Sequence, residues 1–178
     1  TWGQLYLIKR DLTEFSNTVT DGSTLVEIAG GFAAREDYVQ ALKVVEKISD
    51  DLNKILALPE IAVTAIKLGE VTKDKSFFDQ ALKAMEKISR IGTKIYVLGN
   101  IANAVAKLGD QQQAAAFLDQ ALKIVEESSD SYRARPLYDI AATAIKLGEA
   151  TQDKSFFDQA LKAAEKINDG SFKVKALS

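Results

Sequence analysis

Residues 61–90 read IAVTAIKLGEVTKDKSFFDQALKAMEKISR, and residues 140–169 read IAATAIKLGEATQDKSFFDQALKAAEKIND. The two stretches differ at six of thirty positions. Between them, residues 101–130 (IANAVAKLGDQQQAAAFLDQALKIVEESSD) keep the apolar frame and change the surface. The string Gln-Ala-Leu-Lys begins at Gln40, Gln80, Gln120 and Gln159, spacings of 40, 40 and 39 residues. An Ile-Ala pair precedes each copy at Ile28, Ile61, Ile101 and Ile140. Self-similarity at a fixed period of this size marks stacked units, each too small to bury its own apolar face.

Each copy reads as two helices. Phe78, Ala81, Leu82, Met85 and Ile88 share one face of a helix over about residues 75–89, at the 3.6-residue period. Asp79, Lys83, Glu86 and Lys87 face away, and Asp79 with Lys83 makes an acid-to-base pair four apart. The first helix of copy three, about residues 93–108, carries Leu98, Ile101, Ala102, Val105 and Leu108, with Tyr96 and Val97 widening the stripe. Such a helix is expected to pack on two sides. Ala62, Ala102 and Ala141 recur in the stripe, where small side chains let helices approach.

Turn signals punctuate the pattern. Gly69, Gly109 and Gly148 each follow a leucine, as glycine does just past a helix end. Asp50, Asp51, Asp130 and Ser131 suit N-caps of the next first helix, and Gly92-Thr93 fills that role in copy three. Pro136 fits an early helical turn. Pro59 lies well inside a helical pattern and is expected to kink its helix or shift its start. Copy one is seven residues shorter between its markers, the equivalent of VTKDKSF in copy two. Seven residues are nearly two helical turns, so the apolar face stays in phase.

The expected organisation is one repeat domain over 1–178. It comprises a leading helix at 3–17, with Trp2 as its cap, and helix hairpins at 23–50, 51–90, 91–130 and 131–169. Residues 170–178 resemble the start of another repeat. With a chain that opens on Thr1, this suggests a piece of a longer array.

Composition narrows the chemistry. Of 178 residues none is Cys or His, which removes disulfides, thiol nucleophiles, imidazole acid–base groups and the common zinc, copper and haem ligand sets. The expectation is a protein without catalytic residues, bound metal or cofactor. Formal net charge is −2, and Lys43, Lys83, Lys123 and Lys162 each lie near an acid, so no basic stripe points to nucleic acid. No apolar run is long enough for a membrane span. Absence of cysteine fits a cytoplasmic location.

A helix ending near glycine, followed by a helix with a buried Ala-Leu pair, resembles the tetratricopeptide repeat (TPR). Copy three carries the likeness best: Leu98, Ile101, Ala102, Val105 and Gly109 in the first helix, Ala114, Leu118 and Ala121 in the second. The likeness covers about residues 23–169. Copies here run 39–40 residues, against the family's usual 34, and Asp74 and Asp153 stand where its second helix starts with a small residue. The resemblance implies an all-α, right-handed superhelical solenoid of antiparallel helix pairs, with first helices lining a concave groove. Its groove positions fall on Leu56, Pro59, Val63 and Ile66, on Tyr96, Gly99, Asn103 and Ala106, and on Arg135, Tyr138, Ala142 and Ile145. A chaperone-tail clamp would need Lys and Asn where this chain has Pro59 and Val63, so the full clamp is missing despite Asn100, Asn103 and Arg135.

The function implied is protein–protein interaction: a scaffold holding a peptide or partner helix through Leu56, Val63, Tyr96, Asn100, Asn103, Arg135 and Tyr138. For Tyr96, Tyr138 and Arg135 the competing reading is packing at a repeat interface. Phe77, Phe78, Phe156 and Phe157 read as core, and Asp79, Asp119 and Asp158 as a solvated face. Self-association as a structural module, a sensor arm of a larger protein, and an enzyme or small-ligand carrier are the alternatives. The last requires a closed pocket of converging polar groups.

Overall fold

A computed structural model describes residues 12–128 and 133–177. Among these, ten helical segments and no strands occur. They are α1 (residues 12–18), α2 (Gly22–Ala33), α3 (Tyr38–Lys47), α4 (Asp51–Thr72), α5 (Ser76–Glu86), α6 (Ile91–Lys107), α7 (Gln111–Glu127), α8 (Ala134–Thr151), α9 (Lys154–Glu165) and α10 (Gly170–Leu177). Most of the expected leading helix lies outside the described residues, as do Trp2, Asp130 and Ser131.

Packing is between neighbours. The main contacts join α2 to α3, α4 to α5, α6 to α7 and α8 to α9. First helices then stack on each other in the order α2, α4, α6, α8, α10, and each second helix touches the first helix that follows it. Ala29, Ala62, Ala102 and Ala141 sit fully buried (0 %) in this stack, each after a buried isoleucine. A methyl side chain at the contact lets two helix axes come to the short end of the usual 8–10 Å range. α6 is buried on several sides, through Ile95, Val97, Leu98, Ile101, Ala104 and Val105, because α4, α5, α7 and α8 all pack on it.

The turns differ from expectation. Of the three glycines, only Gly109 (φ +87°) follows a helix end in the left-handed conformation. Gly69 and Gly148 lie inside α4 and α8, which run on to Thr72 and Thr151. There the left-handed residues are Lys73 (φ 60°) and Gln152 (φ 58°). The glycines instead make room for a ring. A Cβ on Gly69 would stand 2.6 Å from Phe78 Cε1, and one on Gly148 would stand 2.8 Å from Phe157 Cε2. Thr72 Oγ1 donates to the Leu68 carbonyl (2.7 Å) and accepts from Asp74 N–H (3.3 Å), closing the end of α4. Thr151, Leu147 and Asp153 repeat this arrangement at the end of α8.

The left-handed residue therefore falls at two heights. Glu36 and Gly109 stand eight residues after Ile28 and Ile101, whereas Lys73 and Gln152 stand twelve after Ile61 and Ile140. The shift is four residues, about one helical turn. An aspartate follows every one and caps the second helix. Asp37 accepts from Gln40 N–H, Asp110 from Gln113 N–H, Asp74 from Ser76 N–H and Asp153 from Ser155 N–H. Asp74 and Asp153 thus precede their helices instead of occupying a packing position. The seven residues missing from copy one come out of the second helix: α3 has 10 residues and α7 has 17.

First helices begin less uniformly. Asp21 caps α2 and Asp50 caps α4, while Asp51 is already helical. α6 starts at Ile91 with no side-chain cap, so Thr93 lies inside the helix and does not take the capping role. α4 continues through Pro59 from an unshifted start at Asp51. Pro59 has no N–H to donate, so the Ile55 carbonyl lacks its usual helical partner.

The two near-identical copies meet different neighbours. Phe78 is 3 % exposed, whereas its equivalent Phe157 is 38 % exposed, under the eight-residue α10. Phe156 is fully buried beside the long α7, while its equivalent Phe77 is half-covered beside the short α3 and meets the Tyr38 ring edge-on at 6.1 Å. Asp79 and Lys83 are exposed but form no ion pair with each other. Charges instead bridge neighbouring pairs: Lys87–Glu46 (2.8 Å), Lys166–Glu126 (2.8 Å), Lys75–Asp110 (2.6 Å) and Lys107–Glu70 (2.7 Å). These are exposed contacts, each worth at most about 1 kcal/mol.

Two predictions follow from this packing. Gly69→Ala should lower stability by about 1–3 kcal/mol, since the enclosed Phe78 ring cannot step aside. Gly148→Ala should stay within about 1 kcal/mol of wild type, because the more open Phe157 can move and alanine improves the helix. Equal losses in urea denaturation would contradict this account. The second concerns acid. Hydrogen bonds from Thr24 and Ser23 lower the Asp21 carboxyl to about 2. Asp50 (through Asn53), Asp74 (through Ser76), Asp110 (through Lys75), Asp153 (through Ser155) and Asp169 (through Ser171) are lowered as well. Groups whose folded pKa is depressed stabilise the fold above their unfolded value of about 3.9 and lose that contribution as pH falls through the folded value. The melting temperature should therefore be level from neutrality down to about pH 5 and fall steeply from about pH 4 towards 2.

Candidate functional site: a cleft between two first helices

α6 and α8 pack side by side and leave a cleft of about 380 Å³. From α6 come Ile95, Tyr96, Gly99, Asn100 and Asn103. From α8 come Arg135, Tyr138, Asp139, Ala142, Thr143 and Lys146. The floor is narrow because Gly99 faces Thr143. A Cβ on Gly99 would lie 3.4 Å from Thr143 Oγ1.

Five of the seven residues expected at a partner site meet here: Tyr96, Asn100, Asn103, Arg135 and Tyr138. Leu56 and Val63 lie on α4, away from this cleft. Leu56 is exposed and Val63 half-buried. Of the other groove positions, Ile66 and Ala106 are buried in the core, and Ile145 is packed against it. The helix turns these positions inward, so they line nothing.

The side chains differ in freedom. Tyr96 is 58 % exposed at the rim. Tyr138 is half-buried and leans on the Phe172 ring of α10, with centroids 5.9 Å apart. Packing and a lining position are thus combined in one residue. Arg135 Nε donates to both Asp139 oxygens, at 2.9 and 3.1 Å. Asn100 donates back to the Tyr96 carbonyl (2.9 Å), and Thr143 to the Asp139 carbonyl (2.8 Å). Asn103 and Lys146 make no hydrogen bond or ion pair with the described residues, so their polar ends are available.

Ile95, Asp139, Thr143 and Lys146 are the lining residues that sequence reading missed. A signal existed for Lys146. Lys67, Lys107 and Lys146 recur at the repeat period, four residues after Val63, Asn103 and Ala142. One helical turn places such a pair on the same face.

No catalytic constellation stands out among the described residues. No three Asp or Glu side chains converge as metal ligands would. The perturbed carboxylates are helix caps or ion-pair partners, and each is lowered, opposite to what a general acid at neutral pH requires. Burial pushes the Tyr38 hydroxyl up to about 12, away from any working range. No described helix is long and apolar enough to cross a membrane. The chain matches no protein-family model, no curated protein and no solved structure.

Proposed function

We propose that this chain is a non-catalytic interaction scaffold, a TPR-like right-handed solenoid that holds a peptide or helical segment of a partner protein between its first helices. The observation that carries this reading is the cleft between α6 and α8. It gathers an exposed aromatic rim residue, an amide and a cation with no partner among the described residues, and the small residues Gly99 and Ala142. Aromatic and arginine side chains at the centre of a contact dominate binding energy in protein interfaces. The neighbour-only stacking of helix pairs supports the solenoid, since such arrays expose one continuous face built from equivalent positions. Partner capture by immobilised wild-type protein, Tyr96→Ala and Tyr138→Ala tests the assignment. Tyr96→Ala should keep the helical circular dichroism spectrum and weaken capture at least tenfold. Unchanged capture by both variants would place the contact elsewhere.

A second reading, self-association, has one observation behind it. Phe157 and Leu161 are four apart on α9 and are 38 % and 51 % exposed, although the equivalent Leu122 of α7 is buried. Light scattering over a concentration series decides this: a strict monomer counts against it.

A further inference from the structure

The chemistry of the cleft specifies more than its location. Three ionic groups line it: Arg135, Asp139 and Lys146. Arg135 and Asp139 neutralise each other at 2.9 Å. Lys146 is left as a cation without a partner among the described residues, on a chain whose formal net charge is −2. Its equivalent on α6, Lys107, is neutralised by Glu70 of the preceding pair at 2.7 Å. The corresponding acid for Lys146 is Asp110, which is already held by Lys75 at 2.6 Å and by the start of α7. The Lys75–Asp110 salt bridge outside the cleft thus takes up the acid that would otherwise be the counterpart of Lys146.

Tyr138, Ala142 and Lys146 follow one another at successive turns of α8 along the cleft. Eight residues of helix place Lys146 about 12 Å from the level of Tyr138. The cleft is therefore a ruler with an aromatic wall at one level, a small residue in the middle and a cation at the other end.

Resting on the reading of this cleft as the partner site, we infer that its occupant is an acidic peptide segment. It presents an apolar side chain to Tyr96 and Tyr138 and a carboxylate to Lys146, the two about 12 Å apart. In an extended chain that distance is four residues. In a helix it is seven or eight residues. Charge complementarity of this kind sets which partner is accepted more than how tightly it is held.

The probe is a random peptide library displayed on phage and selected on the intact chain. The expected consensus has an apolar residue followed by Asp or Glu at one of those spacings. Lys146→Glu should weaken the selected peptides about tenfold, because reversal turns an attraction into a repulsion. A fresh selection on Lys146→Glu should return Lys or Arg at the acidic position. Lys67→Glu, the equivalent change on α4 outside the cleft, should leave binding unchanged. A consensus without an acid at those spacings, or one unaltered by Lys146→Glu, overturns the inference. If Tyr96→Ala still abolishes binding in that case, the cleft remains the partner site and only its charge rule fails. Peptides that bind equally to Tyr96→Ala and Tyr138→Ala remove the cleft itself.

Discussion

The closeness of the first helices governs the rest of the molecule. Each isoleucine on the stacking face is followed by an alanine with no exposed surface, at residues 29, 62, 102 and 141. A larger side chain at any of these positions would force the packed helices to shift. The neighbouring second helix, seated between consecutive first helices, would then lose its own contacts. Close packing is intolerant of added volume in this way. Polar bridges such as Lys87–Glu46 decorate the joint but are too exposed to set it.

Given that spacing, the hairpins are free to vary in shape. Copies two and four end their first helices with a threonine and a left-handed Lys73 or Gln152, and copies one and three turn one helical turn earlier. Non-glycine residues in that conformation cost on the order of 1 kcal/mol. The threonine and the following aspartate satisfy the loose backbone groups around it. Where the turn comes early, α7 is correspondingly long and covers Phe156, whereas the shortened α3 leaves Phe77 half-covered. Sequence identity between two copies therefore does not bring identical burial.

The helical hairpins were legible because Ile, Ala, Phe and Leu recur at both the helical and the forty-residue period. The turns were less so. Leu-Gly at 68–69, 108–109 and 147–148 looks the same in the sequence, yet only the middle one stops a helix. What separates them is a ring from the next helix, Phe78 or Phe157, pressed against the glycine. That contact joins residues whose relation is visible only once the chain folds back. The cleft was half legible for a similar reason. Tyr96, Asn103, Arg135 and Tyr138 declare themselves as unusual residues at repeating positions. Lys146 looks like its counterparts Lys67 and Lys107; it differs from Lys107 in having no acid partner among the described residues and from Lys67 in lining the cleft.

The sliding position of the left-handed residue separates two quantities that repeat proteins usually vary together. The distance between successive Ile-Ala and Gln-Ala-Leu-Lys markers is nineteen residues in three copies, whether the two arms are equal, as in α6 and α7, or the first is the longer, as in α4 and α5. Length can thus be traded from one arm to the other without disturbing the joints above and below. A lineage that duplicates such units gains a means of moving the turn of one hairpin while the spacing of its packing positions stays constant.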